Sequence, residues 1–137
     1  MATIPVSPYS LKNATFTVAA DDYTAAINQV RFTPSTSAST WRGIGGNVLK
    51  DQTLAEWNCV ISFLQDLSPE SFMRYLLDND GVVVDAVFVP KAGGPSIEAT
   101  IVLSPGDIGG SSDGNLAAAE VTLAVQGKPE FVDVVTP

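Results

Sequence analysis

Cys59 is the only thiol in a 137-residue chain that contains no histidine. The missing imidazole removes the commonest general base and the commonest zinc ligand together. Cys59 alternates with Trp57, Ile61 and Phe63, a spacing that puts it on the apolar face of a strand, where a buried thiol is inert rather than nucleophilic. Serines are abundant but fall in loop-like stretches with no base to activate them. The run Gly43, Ile44, Gly45, Gly46 has the composition of a phosphate cradle, yet no lysine-serine pair follows at the required spacing. It reads as a twisted or bulged strand start. Asp78, Asn79, Asp80, Gly81 echoes a calcium loop, but aligning Gly81 with the loop glycine places Leu76 and Val87 where carboxylates must stand, so the segment reads as a helix stop. Asp107 and Asp113 lie in a long polar loop and read as solvated turn residues, as do Asp21 and Asp22. The sequence therefore points away from an enzyme and implies no catalytic residue, no cofactor and no metal.

The elements that carry these residues are mostly strands. A hydrophobic content of 45% with 16% charged residues fits one globular domain over 1–137, long enough to bury a core. Fifteen acids against seven cations leave a formal charge of −8, and the cations are scattered, which excludes a phosphate-gripping surface. One cysteine forms no internal disulfide, and the N-terminus has no cationic, apolar signal region, so intracellular synthesis is expected. No apolar run approaches the roughly 20 residues needed to span a bilayer, and no membrane anchor is expected.

The strongest local signal is a helix from Ser68 to Asp80. Leu67, Ser68, Pro69, Glu70, Ser71 and Phe72 supply an N-cap hydroxyl, a proline at the first helical position, an early acid and a Leu67–Phe72 staple. Asp78 to Gly81 ends it, and the helix crosses between two strands. Before it, Ala14, Phe16 and Val18 alternate as one strand. Ile27, Val30 and Phe32 form a second that changes phase at a bulge, and the two are expected to pair through Asp21 and Asp22. Met1 to Leu11, with Pro5 and Pro8, reads as an extended arm. Thr33 to Thr40 is polar and featureless and should project from the body. Glu56 to Leu64 is a strand with Trp57, Cys59, Ile61 and Phe63 on one face. Val82 to Val89 is apolar on both sides except at Asp85, as a strand covered on both faces would be. Ile97, Ala99, Ile101 and Leu103 alternate. After the loop from Ser104 to Asn115 comes a strand through Ala117, Ala119, Val121, Leu123 and Val125. Gly127, Lys128, Pro129 and the tail Phe131 to Val135 close the chain as a last strand or a second arm over 128–137.

In order and content the central block resembles the tail tube proteins, or major tail proteins, of long-tailed bacteriophages. The likeness rests on the Trp57 strand running into Phe63, Leu64, Gln65 and Asp66, then the capped helix from Ser68 through Tyr75, Leu76 and Leu77 to Gly81. A strand ending at Phe88, Val89, Pro90 follows, then a Gly-rich loop and the terminal Gly127, Lys128, Pro129. It spans roughly Thr15 to Glu130. It implies a mainly β fold with one short α-helix, a β-sandwich or barrel whose copies form hexameric rings that stack into a tube, the channel for DNA ejection. It also implies partners: the chain itself, a tape measure protein, a tail terminator and distal tail proteins, with DNA passing without specific binding. The expected location is the virion tail, after synthesis in the bacterial host cytoplasm.

Under that resemblance the projecting segment over 33–41, with Thr33, Pro34, Ser35, Thr36, Ser37, Ser39 and Trp41, is the candidate contact between rings. The two termini and the Ser104 to Asn115 loop are further contacts, and Trp41 is an aromatic anchor. Asp85, Glu98 and Glu120 lie within strands and are the candidate lumen acids, since carboxylates repel a passing duplex. Six copies at −8 each carry −48. Two other readings suit the same residues: a tail terminator or head-tail connector that caps the tube, and a β-sandwich module that binds a ligand through Trp41 and Tyr23.

Overall fold

The computed structural model describes residues 3–6, 8–11 and 13–133. Nine strands and one α-helix follow in the order β1 (Thr15–Val18), β2 (Asp21–Asp22), β3 (Ile27–Ser35), β4 (Ala38–Arg42), β5 (Val48–Gln52), β6 (Glu56–Leu64), α1 (Phe72–Asp78), β7 (Val83–Val89), β8 (Ser96–Val102) and β9 (Ala118–Val132). Seven strands make one sheet in the order β2-β1-β7-β8-β9-β6-β3, and β4 and β5 form a separate hairpin. Each pairing is antiparallel.

The sheet curls around its own core. Alternate residues of five strands, among them Phe16, Cys59, Ile61, Phe63, Ala86, Phe88, Ile101, Val121 and Leu123, form one buried cluster with Phe72, Met73 and Leu76 of α1. The two ends of the strand order face each other across a cavity of about 190 Å³, lined by Thr15 and Phe16 from one side and Ile27 and Val30 from the other. Thr24 bridges this seam, its hydroxyl accepting from the Phe16 amide at 3.0 Å. The architecture is thus a barrel with an unzipped seam rather than a sandwich. β1 and β3 are not partners: Asp21 and Asp22 form β2, a short strand on the edge of β1, while β3 pairs with β6. The bulge expected near Ile27 is present as a register shift between Ile27 and Gln29.

α1 is a turn shorter at its start than its flanking residues predict. Ser71, not Ser68, is the N-cap, accepting from the Arg74 amide at 3.3 Å. Ser68 is drawn into a tighter turn, where its amide and hydroxyl both donate to Asp66 at 2.9 and 2.6 Å. A local side-chain turn competes here with helix and prevails. Leu67 is 81% exposed, so no staple closes on Phe72. Those bonds from Ser68, hydroxyl first and amide second, hold the Asp66 carboxyl below its ordinary range. This turn is therefore firmest above the ordinary carboxylate pKa and loosens as pH falls through the lowered one.

β7 is covered on one face only. Ala86 and Phe88 are buried, but Val83 is 47% exposed, which corrects the expectation of cover on both sides. β9 is a single 15-residue strand that absorbs both the expected Ala117–Val125 strand and the start of the terminal tail. Gly127, at φ +85°, sits where the pairing with β8 slips between Glu98 and Thr100. The bulge bends the strand instead of ending it. Val134 and Val135, and the rest of the arm to 137, lie outside the described residues, as do Met1, Ala2, Ser7 and Lys12 of the N-terminal region. The loop from Ser104 to Asn115 folds back on the sheet end, where the Gln65 amide both accepts from the Gly109 N–H at 2.8 Å and donates to its carbonyl at 2.7 Å.

The turn between β1 and β2 carries backbone strain. Ala19 and Ala20 stand at φ +50° and +73° in a two-residue hairpin closed by Val18 and Asp21. Left-handed backbone costs an L-residue roughly 1–2 kcal/mol, and such turns favour glycine. Ala20→Gly should raise stability by about 1 kcal/mol, read as a higher midpoint in thermal denaturation; an unchanged or lower midpoint would show that the strain is relieved locally.

Candidate functional site

Cys59 is fully buried on β6, and burial pushes its thiol up to about 12. The strand alternation predicted this placement. Native protein at pH 8 should resist thiol-specific labelling for hours and react at once in denaturant; fast native labelling would place the thiol at the surface. Among the described residues no group of three or more acids and cysteines is arranged to hold a metal. Among the described residues no helix is long and apolar enough to cross a membrane.

The segment from Thr33 to Thr40 is not a loop. Thr33, Pro34 and Ser35 continue β3 and pair with Asn58, Trp57 and Glu56, only Thr36 and Ser37 link the strands, and Ser39 already belongs to β4. Threonine favours strands while serine favours turns, so a mixed serine and threonine run did not separate the two by composition. Every residue of β4 and β5 is exposed. Gly43 and Gly46 make the tip of this hairpin, with Gly43 donating to the Asn47 carbonyl at 2.9 Å and Gly46 to Gly43 at 3.1 Å. They do not begin a strand.

The register divides the hairpin into two faces. Trp41 stands opposite Leu49, and Ser39 opposite Asp51; on the other side Thr40 faces Lys50 and Arg42 faces Val48. Trp41 is 67% and Leu49 62% exposed. An isolated two-stranded ribbon is marginally stable in water, and this one holds its largest apolar pair clear of the core. Leu49 was not singled out in the sequence, although Val48, Leu49 and the tip glycines are the signal of a hairpin paired with Trp41.

Asp85, Glu98 and Glu120 share one face of the sheet, the exposed side opposite the core. The Thr100 hydroxyl donates to Asp85 at 3.1 Å and that of Ser62 to Glu120 at 3.3 Å. Glu98 stands directly across from Glu130, a fourth acid that sequence reasoning missed because its strand was expected to end before it. Around them lie small residues, Ala118, Thr122 and Ala124. Tyr23, by contrast, is packed on α1, 5.0 Å from Phe72 and 5.6 Å from Tyr75 between ring centres. It is not brought together with Trp41, and the two make no shared platform.

The described chain thus offers a curled antiparallel sheet with one flanking helix, a bare hairpin and an acid-bearing outer face. That fold is shared with injection-system tube and terminator structures. A chain in a cryo-EM structure of an extracellular contractile injection system, the PVC sheath-tube complex in its extended state, superposes with a TM-score of 0.68 at 13% identity, over 95% of this chain and 93% of that one. The PVC sheath/tube terminator gives 0.58 at 12% identity over 96% and 99%. The tube-terminating cap of the anti-feeding prophage gives 0.61 at 11% identity over 96% and 97%. No protein-family model and no curated protein matches the sequence.

Proposed function

We propose that this chain is a non-enzymatic structural subunit that polymerises as stacked hexameric rings into a tail tube of the phage type, the channel through which DNA is ejected. The observation that carries this reading is the exposed β4–β5 hairpin with Trp41 and Leu49, on a fold shared with tube and tube-terminating proteins. A ribbon with no core of its own gains stability when a neighbouring copy covers it. In this role Thr33 to Trp41 contribute to contacts between rings as part of β3 and the hairpin. Tape measure, terminator and distal tail proteins are its further partners. The face of Asp85, Glu98 and Glu120 lines the lumen and repels the duplex. A tube reconstruction with lysine and arginine on that wall would end the lumen assignment.

The terminator reading is supported by the two cap-like structures of the same fold. Negative-stain electron microscopy of the purified full chain over a range of concentrations, with sedimentation velocity, separates the possibilities. Hollow tubes are expected. Single rings that never lengthen would favour the terminator, and a compact monomer at every concentration would overturn the assembly reading.

A further inference from the structure

The hairpin and the helix leave the sheet at opposite ends of the same strand. β4 and β5 lead into Glu56, the first residue of β6, and the segment to α1 departs from Leu64, the last. Nine extended residues put roughly 30 Å between them. The β1–β2 turn belongs to the helix end, because Val18 pairs with Ala86 in the first half of β7, the half that α1 feeds. The helix end is strongly acidic, whereas the hairpin carries both signs, with Asp51 on the face opposite Arg42 and Lys50. Asp21, Asp22, Asp66, Glu70, Asp78 and Asp80 cluster on the turn and the helix flanks, with Arg74 the one cation on those segments. Asp21, Glu70 and Asp78 line one depression there, together with Tyr23 and Tyr75. The hairpin presents Arg42 and Lys50 on a single exposed face.

We propose that the Arg42 and Lys50 face of the hairpin seats on a second copy of this chain, in the depression lined by Asp21, Glu70 and Asp78. The inference rests on the stacking role above and names the surface that receives the hairpin. Opposite charges meet across it, and the partly buried Tyr23 and Tyr75 rings border the depression. The two surfaces lie at opposite ends of one molecule. The contact is therefore heterologous, and each copy that donates a hairpin still has a free depression for the next. Because the docking charges are exposed in the free chain, the contact weakens as salt shortens the screening length.

The test uses two full-length variants, Arg42→Glu with Lys50→Glu, and Glu70→Lys with Asp78→Lys, each checked for a native thermal melt. All four positions are solvent-exposed, so the fold should be untouched. Each variant alone meets like charge at its own contact and should need at least a tenfold higher concentration than the parent to sediment as assemblies. Mixed in equal amounts, the two present opposite charges at every junction and should co-assemble near the parent concentration. Assembly of either variant alone at the parent concentration, or a mixture no better than its components while the parent assembles, would overturn the docking surface and leave the tube role standing. A parent that stays monomeric throughout would overturn both.

Discussion

Trp41→Asp combined with Leu49→Asp should leave a folded monomer that no longer assembles. The two side chains stand opposite each other on the hairpin and are more than half exposed. Removing them costs the core of the free subunit little, since neither belongs to the buried cluster or packs against it, and surface substitutions outside a core fall within about 0.5 kcal/mol. At an interface the balance differs. A central aromatic anchor is worth about 2 kcal/mol or more, and two carboxylates driven into its pocket must be desolvated unpaired. Repeated at every subunit, this loss should raise the assembly concentration by a hundredfold or more, as read by sedimentation velocity, with an unchanged thermal midpoint. Tubes at the parent concentration would show that the hairpin lies outside the contact. A lowered midpoint would instead mean that Trp41 packs within its own chain.

Phe63→Ala should be the most damaging single change to the fold. Phe63 is 1% exposed, and its ring meets Phe72 of α1 edge-on at 5.2 Å between centres. A Cβ on Gly106 would stand 3.3 Å from its Cζ, so the long loop also closes on this ring. One side chain thus ties β6, the helix and the loop to a common core. Truncating a buried phenylalanine costs about 3–5 kcal/mol, a large part of the 5–15 kcal/mol typical of a domain. Urea denaturation should show the midpoint falling steeply, whereas Leu64→Ala, at a neighbouring 42% exposed position, should change it little. Equal effects at the two sites would mean that the ring is not the keystone of the core.

What the sequence revealed and what it hid divides along physical lines. Period-two alternation identified the inward faces of β6 and β8, the burial of Cys59 and the bulge in β3, because a half-buried strand must alternate. The outward placement of Asp85, Glu98 and Glu120 follows from the same rule. Pairing was not legible: Asp21 and Asp22 have the composition of a plain turn, and nothing local states that β3 pairs with β6, 20 or more residues along the chain. The hairpin was hidden for another reason. Both its faces are exposed in the free subunit, so neither imposes an apolar rhythm, and Ser39 and Thr40 read as loop. At α1 two capping serines competed, and the Asp66 turn that decided between them is visible only in three dimensions.

β9 has a mechanical consequence. It runs for 15 residues, is laced to β6 along Asn58–Leu64 on one side and to β8 along Ser96–Val102 on the other, and lies between the hairpin end and the helix end. Tension applied between those ends loads the rungs of both ladders in shear, all at once. Tension applied across the strands would instead peel them one by one. The chain is therefore stiff along its strands and comparatively weak across them, and in the stacked assembly proposed above a column pulled lengthwise should part between its copies before any copy unravels.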